Sequence, residues 1–192
     1  GLFDQTVGLV GFGMIARILV GMLQPFRARI KVYDPYLTRE VLEEYKDMRV
    51  SAASMEEIFS SCKIISLHAS LTPETYHMIN MNVLKLIPDG ALFINTARGK
   101  IVDEKALEEV LLNGRFKAVL DVFENEPLPP ESRLRGLRNM ILMPHMGGPT
   151  VDRRKHVTMA LVEDINRFFN GEKLRLEISR EYAERMTMDY LK

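Results

Sequence analysis

Three side chains with complementary chemistry, Arg98, Glu126 and His145, each follow closely on a short apolar segment. Histidine exchanges protons near neutral pH, and a carboxylate beside it orients the ring and favours its protonated form. Arginine can bind a carboxylate through two parallel hydrogen bonds. Together, these residue types could move a proton to or from the hydroxyl group of a small acid. Each also has an ordinary explanation as a charged or polar residue of a solvated loop, and Glu124 makes the region around Glu126 acidic.

A second set of residues is suited to binding a phosphate. The apolar segment Thr6–Val10 runs into Gly11, Gly13 and Ala16, and then into a helix-like apolar pattern over Met14–Leu23. This order of strand, G-x-G-x-x-A turn and helix is typical of a dinucleotide-binding unit. The first glycine allows a tight turn, the second lets a pyrophosphate approach free N–H groups, and the alanine lets the helix pack closely on the sheet. Similar glycine turns also occur without a ligand.

Asp34 strengthens the dinucleotide interpretation. It follows a second predicted strand, Arg29–Tyr33, about 20 positions after Gly13, where a carboxylate accepts hydrogen bonds from an adenosine ribose. Such a carboxylate repels a 2′-phosphate, which predicts NAD rather than NADP as the cofactor. The alternative is that Asp34 is a turn residue before Pro35.

The composition is that of a globular domain. Of the 192 residues, 46% are hydrophobic and 27% are charged, and 26 basic side chains balance 26 acidic ones. This balance argues against a nucleic-acid or anionic membrane surface. The sequence contains no apolar run of membrane-spanning length, no secretory pattern at its start and one cysteine, Cys62. We therefore expect a cytoplasmic protein without a metal site, in which Cys62 is a small buried hydrophobe.

Alternating strands and helices predict an α/β fold, a Rossmann-type doubly wound parallel sheet with helices on both faces. Further strands are predicted at 48–51, 63–68, 91–95, 116–120 and 140–143. Further helices are predicted at 38–45, 54–60, 79–86, Glu104–Leu112 and Val151–Phe169, with N-caps at Thr38, Ser54, Asp103 and Thr150. Residues 1–171 form the predicted cofactor domain. In the charged tail, 172–192, one helix face could carry Ile178, Tyr182 and Met186.

Ligands of an open parallel sheet bind beyond the carboxyl ends of its strands. Six predicted strand ends lead into polar, charged or glycine residues: the glycine turn, Asp34, His68, 96–99, Asp121 with Glu126 behind it, and 145–148. This convergence predicts an active cleft at one sheet edge. His68 is expected to shape the adenosine side of that cleft, whereas His77 and His156 are expected at the surface.

These residues give the chain a resemblance to the NAD-binding domain of the D-isomer-specific 2-hydroxyacid dehydrogenases. That family includes phosphoglycerate, glycerate, lactate and formate dehydrogenases. The resemblance extends from Gly8 to about Gly171, and the matching segments are VGLVGFGMIAR, VYDPY, SLHASLTPETYHMIN, ALFINTARGKIVDEKAL, LDVFENEPLP and MPHMGGPT.

The resemblance implies an NAD-dependent oxidoreductase that interconverts a D-2-hydroxy acid and its 2-oxo acid by hydride transfer. It assigns Arg98 to the substrate carboxylate, His145 to acid–base chemistry and Glu126 to the role of its partner. Further positions are implied around the cofactor: Met14 and Ile15 by the pyrophosphate, Asp34 by the ribose, His68 and Ala69 on the adenosine side, Thr96, Ala97 and Asp121 by the nicotinamide, and Gly147 and Gly148 in the loop beside it.

Three departures from the family pattern shape the expectations. Met14 stands where the family often has arginine, and Ala69-Ser70 replaces a commoner Thr/Cys-Pro. About half of a separate substrate domain, with which the family's chains begin, is absent. Because one wall of a cleft excludes water poorly, we expect this chain to bind NAD yet turn over little alone. We expect residues 172–192 to pack on the missing domain or on a partner.

The family resemblance leaves a second functional class open. It extends to transcriptional corepressors that sense NAD and can keep the same three polar residues, so an NAD-sensing binding module without significant turnover is the alternative. The resemblance also implies a homodimer formed through this domain.

Overall fold

Short apolar segments form one parallel sheet. The computed structural model describes residues 1–186. Its strands are β1 (Thr6–Val10), β2 (Arg29–Tyr33), β3 (Val50–Ala52), β4 (Ile64–Leu67), β5 (Leu92–Asn95), β6 (Lys117–Leu120) and β7 (Met140–Leu142). They lie in the order β3-β2-β1-β4-β5-β6-β7, and every neighbouring pair is parallel.

Helices cover both faces of this sheet. They are α1 (Met14–Leu23), α2 (Arg39–Glu43), α3 (Met55–Ser61), α4 (Met81–Leu84), α5 (Glu104–Leu112), α6 (Val151–Phe169) and α7 (Arg180–Glu184). One core cluster joins α1 to β1 and β2, and a second, larger cluster joins α3, α4 and α5 to the other face. Strand order and layering confirm the predicted Rossmann-type doubly wound fold.

Strand β1 shows how one segment serves both layers. Val7 and Leu9 point into the α1 cluster, and the residue between them points to the opposite face. That residue is Gly8, whose missing side chain leaves room for Ile58 and Cys62. Cys62 is fully buried, and burial raises the pKa of its thiol. The prediction that Cys62 is a small buried hydrophobe is confirmed.

The strand order reverses between β1 and β4, which are adjacent in the sheet: β2 and β3 lie beyond β1, and β5 to β7 lie beyond β4. The crevice outside the carboxyl ends of the strands at such a reversal is where open α/β sheets bind ligands. The polar residues singled out in the sequence follow the carboxyl ends of β1, β2, β4, β5, β6 and β7. The fold therefore gathers them along one edge.

The structure corrects several local predictions. Strand β3 begins at Val50 rather than 48, because Lys46–Met48 forms a 3-10 turn. The helix predicted at 79–86 shortens to α4, because Ile79 pairs in parallel with Val102. The helix predicted at 38–45 shortens to α2. Thr150 precedes α6, but its side chain makes no capping hydrogen bond.

Helix α6 has the predicted bounds but little contact with the core. Asp164 is its buried residue, and it accepts hydrogen bonds from the backbone N–H groups of Arg175 and Leu176. These bonds fold the chain after α6 back along the helix. Among the helices of residues 1–186, none is both long and apolar enough to cross a bilayer.

The single apolar face predicted for the tail is wrong for the described residues. Helix α7 includes Tyr182 but neither Ile178 nor Met186, and all three side chains are exposed. The guanidinium of Arg185 lies 4.0 Å from the ring centre of Tyr36, near the end of β2. Residues 187–192 lie outside the described part of the chain, and packing of the tail on another domain stays a prediction.

We expect Gly8→Ala to destabilise the domain by about 1 to 3 kcal/mol, because an extra methyl group in a well-packed core forces its neighbours to shift. A Cβ at Gly8 would lie 2.4 Å from Cγ2 of the fully buried Ile58. Urea unfolding would measure the change. The matched control is Gly21→Ala in α1, where a Cβ meets open space and helix propensity favours alanine by about 1 kcal/mol. Equal effects of the two substitutions would contradict the packing argument.

Candidate active site

The glycine turn after β1 packs directly on the end of β4. Gly11 has a φ of +93°, and a Cβ there would lie 2.6 Å from the amide nitrogen of Ala69 and 2.7 Å from the carbonyl carbon of His68. Both the conformation and the space therefore require glycine. The contact places His68 and Ala69 beside the turn.

The start of α1 offers unoccupied N–H groups. Its N-cap is Gly13, which has no side chain to accept a hydrogen bond, and a Cβ there would meet open space. The first N–H groups of a helix have no partner within the helix, and they favour an anion. Met14 and Ile15 follow, 68% and 73% exposed. These are the positions predicted to lie by the pyrophosphate.

Asp34 ties the end of β2 to the glycine turn. Its Oδ2 accepts a hydrogen bond of 2.7 Å from the N–H of Phe12, and its Oδ1 accepts one of 2.8 Å from the N–H of Tyr36. It therefore acts as a turn residue, which was the alternative interpretation. The two interpretations are compatible, because each carboxylate oxygen keeps a second lone pair and stands beside the turn.

His68 lies at the carboxyl end of β4 and is largely buried. Its Nε2 is 3.0 Å from Oγ of Ser66, and its backbone N–H donates to the carbonyl of Val10. Burial lowers the pKa of His68 to about 4, so the ring is neutral at pH 7. A neutral, buried ring suits a structural place beside the adenosine side better than proton transfer.

The turn after β5 is organised by a residue that the sequence analysis did not single out. Asn95 is 1% exposed, and its side chain accepts from the N–H of Ala97 and donates to the carbonyl of Arg98. These two bonds fold residues 96–98 into a tight turn. Thr96 is exposed, and one guanidinium nitrogen of Arg98 donates to the carbonyl of Ala97 at 2.7 Å.

The same turn touches the loop after β6. A Cβ at Gly99 would lie 1.9 Å from the carbonyl carbon of Phe123 and 2.5 Å from the amide nitrogen of Glu124. No side chain fits at that distance from backbone atoms, so glycine is required by space alone. The contact fixes the turn that carries Arg98 against residues 123–124.

Asp121 holds the loop after β7 in place. It is 1% exposed, and its carboxylate accepts from the N–H groups of Met146 and Gly147 at 2.8 and 2.7 Å. A Cβ at Gly147 would lie 2.7 Å from Oδ2 of Asp121, whereas one at Gly148 would meet open space. The structure therefore gives Asp121 a bracing role next to the place predicted for the nicotinamide.

Glu126 and His145 are in direct contact. Nδ1 of His145 lies 2.6 Å from Oε2 of Glu126, whose other oxygen accepts a 3.0 Å hydrogen bond from the N–H of Phe123. The side chain of His145 is 50% exposed and that of Glu126 is 35% exposed. The backbone of His145 has a φ of +51°, a conformation uncommon outside glycine. Glu126 and His145 therefore form a pair, and Arg98 lies in the turn that packs against the loop after β6.

Two other titratable residues contact this loop, and the sequence did not predict either contact. The prediction that His77 is a surface residue is wrong, because its Nε2 is buried and lies 2.9 Å from Oε1 of Glu124. Glu104, at the start of α5, exchanges hydrogen bonds with Glu124. Only the position of Glu104 after the cap Asp103 could have drawn attention to it. Within residues 1–186, no His, Cys, Asp and Glu side chains form a group of three able to hold a metal ion.

A comparison with known protein families identifies the family of this chain. Residues 1–147 match the family described as D-isomer specific 2-hydroxyacid dehydrogenase, NAD binding domain. The chain belongs to this family. The resemblance noted in the sequence is confirmed, and so is the assignment of NAD as the cofactor of the domain.

Individual relatives agree with the family. A glyoxylate reductase of Korarchaeum cryptofilum is 37% identical over 172 residues, which cover 89% of this chain and 51% of the relative. A D-3-phosphoglycerate dehydrogenase of Methanocaldococcus jannaschii is 37% identical over 175 residues, covering 89% and 32%. The crystal structure of an NAD-dependent formate dehydrogenase from Staphylococcus aureus in complex with NAD has a TM-score of 0.73 and 29% identity, covering 93% of this chain and 53% of that one. The chain thus spans about half or less of the length of these relatives.

The residues of this domain fit NAD. The open space at Gly13 and the uncapped start of α1 leave room and hydrogen-bond donors for a pyrophosphate. Asp34 stands at the end of β2 with its carboxylate fixed beside the turn. The N–H of Phe12 is the donor that fixes it, so one hydrogen bond links the positions predicted for the phosphate and the ribose.

We expect the free energy of unfolding to fall as the pH drops from about 6.5 towards 4. Because burial lowers the pKa of His68 from 6.5 to about 4, the unfolded chain binds a proton in this range that the folded chain excludes. The loss is on the order of 3 kcal/mol at pH 4 and is absent above pH 7. His68→Asn would remove this component, measured by urea unfolding at several pH values. His156→Asn, at an exposed position, is the control, and an unchanged pH slope in His68→Asn would refute the assignment.

Proposed function

We propose that the protein is an NAD-dependent D-2-hydroxyacid dehydrogenase that interconverts a 2-hydroxy acid and its 2-oxo acid. The observation that carries this proposal is the 2.6 Å contact between His145 and Glu126, at the same sheet edge as the glycine turn. A proton-transfer group fixed beside a nicotinamide site is what this reaction needs. NAD, when bound, supplies or accepts the hydride.

His145 is the proposed acid–base residue. Its Nδ1 faces Glu126, which leaves Nε2 for the substrate oxygen. The carboxylate favours a proton on the ring and holds its orientation, as an aspartate does for the histidine of a hydrolase triad. In reduction His145 gives a proton to the oxo oxygen, and in oxidation it takes the hydroxyl proton.

Arg98 is the proposed binding group for the substrate carboxylate. One guanidinium nitrogen donates to the carbonyl of Ala97, and the remaining N–H groups can form a bidentate pair with a carboxylate. The side chain is partly buried, which strengthens such a pair over one in open water. Gly99 fixes the turn that carries Arg98 against Phe123. Because the N–H of Phe123 also binds Glu126, the same residue positions both Arg98 and the partner of His145.

The cofactor positions complete the proposal. Gly11, Gly13, Met14, Ile15 and Asp34 would contact the adenosine half and pyrophosphate, with His68 and Ala69 alongside. Thr96, Ala97, Asp121, Gly147 and Gly148 would surround the nicotinamide half. With His145 half exposed, this domain supplies one wall of the cleft, so we propose that full turnover needs the part of its relatives that lies outside the matched region.

We also propose that the chain forms a homodimer and is cytoplasmic. Helix α6 exposes apolar side chains four residues apart, at Val157, Leu161 and Ile165, which one helix face can bury against another surface. This supports the proposed homodimer or packing on a second domain. The single buried cysteine is in keeping with a cytoplasmic protein.

NADH should bind this chain at least about tenfold more tightly than NADPH, because the Asp34 carboxylate repels a 2′-phosphate. Titration of nicotinamide fluorescence measures both affinities. Asp34→Asn should reduce the preference to about threefold or less, since the charge is lost while an acceptor oxygen stays. The control is Asp152→Asn, which changes the same group at an exposed position on α6. Equal binding of NADH and NADPH to the unaltered chain would remove the basis for the ribose assignment.

In the full-length protein, His145→Asn should lower kcat for 2-oxo acid reduction by a factor on the order of 100 to 10 000, the usual contribution of a general acid. Arg98→Ala should lower kcat/KM while the NADH affinity holds, because its partner is the substrate. Consumption of NADH with a panel of small 2-oxo acids measures both. If no member of the panel is reduced while NADH still binds, the NAD-sensing module becomes the better description.

A further inference from the structure

A second histidine–glutamate contact lies behind the proposed catalytic pair. Nε2 of His77 is 2.9 Å from Oε1 of Glu124, and their side chains are 30% and 25% exposed. The nitrogen atom is itself buried and makes no hydrogen bond within the described residues. Glu124 is therefore the group whose charge compensates for burying this nitrogen. Neither residue takes part in the reaction proposed above.

His77 is held firmly by its own segment. Its backbone has a φ of +50°, its ring stacks on that of Tyr76 at 4.0 Å, and its N–H donates to the carbonyl of Lys100. Residues 77–79 run alongside 100–102, where Ile79 pairs with Val102. A left-handed conformation at a histidine persists only when the surroundings fix it. The segment that follows the Arg98 turn therefore also positions His77.

Glu124 meets a second carboxylate as well as the histidine. Its backbone N–H donates to Oε2 of Glu104 at 3.0 Å, and its Oε1 accepts from the N–H of Glu104 at 2.9 Å. Burial raises the pKa of Glu104, whereas the hydrogen bond from the N–H of Glu124 lowers it and the charge of Glu124 raises it, so the net direction is upward. Glu124 is therefore held from two directions, by the start of α5 and by the ring of His77.

This cluster lies directly before the catalytic glutamate. Glu124 follows Phe123, whose N–H donates to Glu126, and Gly99 packs against the peptide that joins Phe123 to Glu124. We propose that His77 is a positioning residue: its contact with Glu124 holds residues 123–126 so that Glu126 meets His145. The inference rests on the proposed function for its catalytic meaning, but the contact between Glu126 and His145 can be tested without turnover.

The test is the pH titration of the Cε1–H proton of His145 by NMR, in this chain without substrate. Glu126→Gln sets the reference, since loss of the carboxylate should move the titration midpoint to lower pH. His77→Phe keeps the stacking on Tyr76 and removes the ring nitrogens. We expect it to move the midpoint in the same direction by about 0.5 pH unit, a threefold change in proton affinity.

The direction of the shift separates positioning from simple electrostatics. Removing a positive charge at His77 without moving the loop would ease protonation of His145 and move the midpoint to higher pH. His156→Phe is the control for losing an exposed histidine, and His77→Gln replaces His77→Phe if the latter does not fold. An unchanged or raised midpoint in the His77 variants would overturn the inference. An unchanged midpoint in Glu126→Gln would instead overturn the proposed catalytic pair.

Discussion

The peptide bond between Phe123 and Glu124 lies against the Cα atom of Gly99 with no room for a side chain, since a Cβ would come within 1.9 Å of Phe123. Contacts between backbones of this kind cannot relax by rotating a side chain, so they fix two segments rigidly. One segment carries Arg98 and the other carries Glu126. The relative position of the substrate-binding cation and the acid–base pair therefore depends first on the absence of one methyl group.

Carboxylate groups of the loop after β6 hold the neighbouring loop, which carries His145, in place. Asp121, at the start of the loop after β6, accepts hydrogen bonds from two N–H groups of that neighbouring loop. Glu126, five residues further on, accepts a hydrogen bond from the N–H of Phe123 with one oxygen and faces His145 with the other. The loop after β7 is thus held at two points, its backbone by Asp121 and its histidine by Glu126. Two such attachments leave the imidazole little freedom to turn, which reduces the reorganisation required when a proton moves.

The sequence allowed prediction of the sheet and of the edge along which the candidate site residues lie, for a simple reason. Apolar segments locate parallel strands, and everything that follows their carboxyl ends lies along one edge. It did not reveal Glu104 or His77, because both contact Glu124, far along the chain, and no local spacing encodes such contacts. Asn95 was missed for a different reason: its contacts with Ala97 and Arg98 are local, but the pattern showed it only as the last residue of a predicted strand. Pairing of Ile79 with Val102 turned part of a predicted helix into an extended segment. That change of backbone brought His77 in from the predicted surface to Glu124.

The exposure of the pair limits what this domain can supply. His145 is half exposed and Glu126 is about one-third exposed, and surface ion pairs are weakened by water and salt. The attraction between them is therefore modest as it stands, and what the domain supplies is fixed geometry. Covering the pair would lower the local dielectric and strengthen it. A covering surface over the cleft would thus act on a site that is already oriented, so closure would change its electrostatics more than its shape.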